Sequence, residues 1–86
     1  MDLDALLYHY FGTDDPERIE ADAFETGQEQ LAVDFGTERD ASRRFALWAL
    51  MLSIGIAPEP AKAFKDARER MAAEAFLRMS RRAEQP

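Results

Sequence analysis

His9 is the only histidine in the chain, and there is no cysteine. Imidazole chemistry at neutral pH needs a second group held against the ring, a carboxylate to orient it or further ligands to complete a metal site. Asp2 and Asp4 stand off the three- and four-residue spacings that bring side chains together on a helix. An acidic run, Asp14, Asp15, Glu17, Glu20 and Asp22, follows soon after, and one reading is a small metal-binding protein built on His9 and these oxygens. A calcium loop alternates its ligands, turns on a glycine and closes on a bidentate glutamate. This run lacks that spacing and has Pro16 within it. Helix capping and compensation of helix dipoles account for the same acids more simply, so no metal ion and no cofactor are expected.

The absence of cysteine excludes thiolate zinc sites, disulfides and cysteine nucleophiles. Ser42, Ser53 and Ser80 lack the flanking glycines of a nucleophile elbow, and there is no glycine-rich phosphate loop. Ser53 falls in an apolar helical stretch, where a hydroxyl returns to a backbone carbonyl. The chain is not expected to be an enzyme.

Net charge is −6, which disfavours general attraction to phosphate backbones or anionic lipid. The distribution is lopsided. Residues 1–36 carry ten acids against one base, Arg18, whereas residues 37–86 carry ten bases against seven acids. Each half then has a solvated charged face, or the two halves attract, within one chain or between copies.

Around residue 36 the pattern resembles the helix-turn-helix segments of DNA-reading proteins: Gln30-Leu31-Ala32, then Gly36-Thr37, then Arg39, Arg43 and Arg44. The alanine would let two helices approach, the glycine would make the turn, and the arginines would face phosphates or base edges. Against this, the helix so placed runs on into an apolar segment. The helix before it carries Glu25, Glu29 and Asp34, and the whole chain is acidic. Nucleic acid is therefore an unexpected partner, with a helix-turn-helix regulator kept as an alternative.

The elements that must position these residues are helical. Leu3, Leu6, Leu7, Tyr10 and Phe11 form the stripe of a first helix, Leu3 to Phe11, capped by Asp2 and ended by Gly12. Asp15 before Pro16 starts a single turn reaching about Ile19. A second helix, roughly Asp22 to Phe35, has the stripe Phe24, Gly27 or Gln28, Leu31 and Phe35. Gly27 within it costs up to ~1 kcal/mol against alanine, which implies close approach of a neighbour there. Gly36 reads as its C-terminal glycine, like Gly12 and Gly55 after their own segments. Thr37 and Asp40 resemble a capping box opening a helix from about 38 to 54. That helix is charged at its start and apolar all round from Phe45 to Ile54, so it should be enclosed on every side. After the rigid link at Pro58 and Pro60, a short helix (Ala61 to Lys65) and a final one (Ala67 to about Arg82, capped by Asp66) follow. The final stripe is read as Met71, Ala72, Ala75, Phe76 and Met79. With one valine and three threonines the chain is poor in strand formers.

The expected fold is a single all-α domain spanning 1–86, with 83–86 as a frayed tail. It is a compact bundle of about four principal helices plus one or two single-turn helices around a buried central helix (about 38–54). The apolar run from Phe45 to Ala57 is far short of the ~20 residues of a membrane span. The start Met1-Asp2-Leu3-Asp4 lacks the basic and apolar stretches of a secretory signal. A small secreted domain usually needs disulfides, so a cytoplasmic location is expected.

Aromatic residues are plentiful for so small a core. Trp48 is expected inside, with Tyr8 and Phe11 at the rim of the first helix. Exposed aromatics favour protein partners. The function expected is a non-catalytic protein-interaction or regulatory module, a homodimer being one form of it, with Tyr8, Phe11, Arg39, Arg43 and Arg44 as the candidate partner surface.

Overall fold

A computed structural model describes residues 2–84. Its elements are α1 (Leu3–Phe11), a 3-10 turn (Pro16–Arg18), α2 (Ala21–Thr37), α3 (Ala41–Ser53), the single turn α4 (Pro60–Ala63) and α5 (Ala67–Glu84). There is no strand among the described residues, and the fold is all-α as the composition required.

Carboxylates start four of these pieces. Asp2 accepts from the Ala5 N–H at 3.1 Å, Asp15 from Glu17 at 3.0 Å, Asp40 from Arg43 at 2.8 Å and Asp66 from Glu69 at 3.0 Å. Each satisfies an orphan donor and places negative charge at the positive end of a helical turn. Gly12 ends α1 with φ 77°, a left-handed conformation that glycine adopts without Cβ strain, and its N–H returns to the Tyr8 carbonyl.

The corner between α2 and α3 differs from the sequence reading. Gly36 makes no turn: it lies inside α2, whose last residue is Thr37. The Thr37 hydroxyl donates to the Val33 carbonyl at 3.0 Å and so belongs to the last turn of α2. The chain turns through Glu38, Arg39 and Asp40, and Asp40 alone caps the next helix. The central helix therefore begins at Ala41, three residues later than the apparent capping box suggested.

Enclosure of that helix is confirmed over its middle. Leu47, Trp48, Ala49, Leu50 and Met51 are all buried. One side of α3 joins Leu7, Tyr10, Phe11 and Leu31 from α1 and α2. The other joins Phe64 and Ala73, with Phe45, Phe76 and Leu77 around them. Trp48 is ringed by Phe45, Phe64 and Phe76 at centroid distances of 5.7–6.2 Å, and its Nε1–H donates to the Pro58 carbonyl at 2.9 Å. The Ala57–Pro60 link thus places a fixed acceptor where a buried indole needs one. Ser53 returns its hydroxyl to the Leu50 carbonyl at 2.7 Å, as expected of it.

Gly27 is a point of close approach between α1 and α2. A Cβ there would stand 2.5 Å from the Tyr10 carbonyl oxygen and 2.6 Å from the Phe11 ring. Phe11 itself stacks on Phe24 at 5.7 Å.

The orientation of α5 corrects the stripe read from the sequence. Ala73 is fully buried and Phe76 and Leu77 pack beside Trp48 and Phe64, whereas Met71 is 67% exposed and Met79 68%. The helix carries two apolar stripes, and packing selects the one that brings alanine against the aromatic cluster, where a small residue permits close contact. The molecule is flat, with extents of 37 × 35 × 20 Å, the thin dimension being about two helix diameters.

Candidate functional site

Of the five residues expected to form a partner surface, three are exposed, Arg44 is half-buried and Phe11 is buried. Tyr8 is 63% exposed, as expected, but Phe11 is 4% exposed and lies in the core between α1 and α2. Phe11 is withdrawn from the surface because the side-chain-free Gly27 opposite it makes a slot for its ring. Arg39 is exposed in the α2–α3 corner. Arg43 is paired with Glu38 at 3.7 Å. Arg44 is a strut: its guanidinium pairs with Glu69 on α5 and donates to the Glu38 carbonyl at 2.9 Å, with about a quarter of its side chain exposed. It ties the start of α3 to the corner before it and to α5.

His9 is exposed, its ring edge-on to Tyr10 at 4.9 Å. It borders an open groove between α1 and α3 that also includes Asp2, Leu6, Asp40 and Arg43. The two carboxylates of this groove already accept from backbone N–H groups as helix caps. Among the described residues, no three His, Asp or Glu side chains gather closely enough to hold a metal ion. The Tyr10 hydroxyl donates to Asp34 Oδ2 at 2.6 Å. Burial first, and then the Asp34 carboxylate, push that phenol up to about 12. It stays protonated near neutral pH and serves as a hydrogen-bond donor joining α1 to α2. Asp34 Oδ1 accepts in turn from Gln30 at 2.9 Å.

The most distinctive surface is one the sequence reading had placed inside. At 3.6 residues per turn, Arg68, Met71, Ala72, Ala75, Met79 and Arg82 share a face of α5 about 100° wide. Two exposed methionines, the exposed Ala72 and the half-buried Ala75 occupy its middle, and an exposed arginine closes each end. Ala72 also borders a shallow groove with Ala41, Phe45 and Arg68, so the apolar stripe continues toward α3. The warning available in the sequence was the width of the apolar arc, which is too broad for a single buried stripe.

A second face stands out on α2. Asp22, Glu25, Glu29, Ala32, Val33 and Gly36 lie together on the side away from Leu31 and are all exposed, Val33 at 58%. Its first half is acidic and its second half small and apolar. A Cβ added at Gly36 would meet nothing within 4 Å. No ion pair among the described residues joins the acidic first 36 residues to the basic remainder: Arg18 pairs with Asp15, Arg43 with Glu38 and Arg44 with Glu69.

No protein-family model matches the chain, and neither does any curated protein or solved structure with which it was compared. Among the described residues, no helix is long and apolar enough to cross a membrane.

Proposed function

We propose that this chain is a non-catalytic interaction module that docks a protein through the outer face of α5. The observation that carries the reading is the exposure of Met71 and Met79 on one face of that helix. Methionine is unbranched and polarizable, and it adapts to a partner's shape. Contiguous exposed apolar surface rimmed by polar groups is the ordinary mark of a protein contact. The arginine ends supply a rim that orients whatever docks. The acids in the α1–α3 groove are committed to caps, which favours binding over chemistry there.

The test is a photo-activatable crosslinking residue placed at position 71 or 79, with position 17 as an exposed control on the 3-10 turn. The full chain is irradiated in the cells that make it. Adducts with a protein, whether another copy or a different chain, are expected from 71 and 79 and not from 17. Equal yields at all three positions would refute the docking role.

A further inference from the structure

We infer that the occupant of the α5 face is a second copy of this chain, presenting the outer face of its α2. This rests on the docking role of α5 and gives it a partner. Two α5 helices do not suit one another. In an antiparallel pair Arg68 of one copy would lie beside Arg82 of the other, and in a parallel pair each arginine would meet its own equivalent. Like charges across a contact disfavour both arrangements.

The α2 face supplies what α5 lacks. Both faces span fifteen residues, about 21 Å of helix from first to last. The α2 face carries Asp22, Glu25 and Glu29 and no base, and α2 has no lysine or arginine at any position. Its other half, Ala32, Val33 and Gly36, is a low apolar shelf. The open space above Gly36 leaves room for a methionine side chain to lie against the backbone. Laid along one another, the faces set one methionine of α5 against the small residues of α2 and the arginine at the opposite end against its acids. Within one chain these faces do not neutralise each other, because no ion pair connects the acidic and basic portions among the described residues.

Each copy would then use both faces, its α5 on the α2 of one neighbour and its α2 on an α5.

Sedimentation from micromolar to millimolar protein, at low and high salt, reads the association, which should weaken as salt screens the ion pairs. Two charge-swapped proteins then test the contact. Glu25→Arg with Glu29→Arg makes both faces basic. Arg68→Glu with Arg82→Glu makes both acidic. Each variant alone should be monomeric, with helical circular dichroism unchanged, and an equimolar mixture should recover the wild-type association. A wild-type protein that stays monomeric throughout overturns the proposal, as does association that either variant retains. Crosslinks from positions 71 and 79 that reach only a different protein would leave α5 as a docking face and remove the second copy from it. Co-sedimentation with anionic vesicles in place of self-association would likewise overturn it, assigning the face to a lipid surface.

Discussion

Gly27→Ala separates two effects that act in opposite directions on one residue. Helix propensity favours the substitution by up to ~1 kcal/mol. Packing opposes it, because the new Cβ would stand 2.5 Å from a backbone oxygen and 2.6 Å from two Phe11 ring carbons, against 3.4–4 Å for ordinary contact. The Tyr10 carbonyl belongs to α1 and cannot swing aside, and Phe11 is held against Phe24. The helices must therefore part by close to an ångström, and overpacking of that kind costs about 1–3 kcal/mol. The net loss is about 1 kcal/mol at the middle of that range. For a domain of this size it lowers Tm by roughly 4–8 °C. Gly36→Ala is the internal control. It lies in the same helix with open space around it within one chain, so in the dilute monomer only propensity acts, and the change should raise Tm slightly. Thermal melts followed by circular dichroism in about 1 M salt, where exposed ion pairs are screened, make the comparison. Shifts of the same sign in both variants would refute the close approach of α1 to α2 at Gly27.

The remaining predictions concern polar ties. Because folding raises Tyr10 from 10.0 to about 12, the folded state favours the protonated phenol. The stability this confers is whole below pH 10 and is lost as pH rises through about 12. A spectrophotometric titration should show one tyrosine ionising near 12, and Tyr10→Phe should abolish that step while costing about 1 kcal/mol, since Gln30 still donates to Asp34. Arg44→Ala should lower the urea midpoint by an amount equivalent to roughly 1–3 kcal/mol, because Glu69 and the Glu38 carbonyl lose a half-buried partner. Arg39→Ala, in the exposed corner, should change it by less than about 0.5 kcal/mol, and equal losses would show that Arg44 is no strut.

The sequence was most legible where one local signal decided the outcome. Asp2 before an apolar stripe and Gly12 after it bounded α1 to the residue, and the run around Trp48 announced a helix enclosed at its middle. Gly27 forecast a close neighbour because a glycine inside a helix is costly without one. Legibility failed where two local signals competed. Thr37 could open a helix or close one, and the choice was made by its hydroxyl bonding back to Val33. The stripe on α5 failed for a different reason. Periodicity says that an apolar face exists, while the partner it meets depends on the shape of distant residues. Here the Trp48–Phe64 surface took Ala73 and Phe76 and left Met71 and Met79 outside. The expected place of Phe11 at the rim missed for the same reason, since nothing local to Phe11 records that Gly27 lies across from it.

Two sets among the acids of this chain have different physical meanings. Asp2, Asp15, Asp40 and Asp66 each accept from a backbone N–H at a helix start, and those bonds account for them within the monomer. Glu25 and Glu29 lie beyond the first turn of α2, where the dipole no longer rewards negative charge. They share their face with Asp22 and have no base on their own helix. Like charges at such spacings oppose the helix by a few tenths of a kcal/mol each. Meanwhile Arg68, Arg78, Arg81 and Arg82 are exposed on α5, and none pairs with an acid of the first 36 residues. A solvated surface is served best by mixing the two signs, and α2 carries acids alone while α5 has more bases than acids, each beside exposed apolar side chains. That separation costs the monomer stability and supplies complementarity between molecules, so the physical reason for it lies outside the single chain.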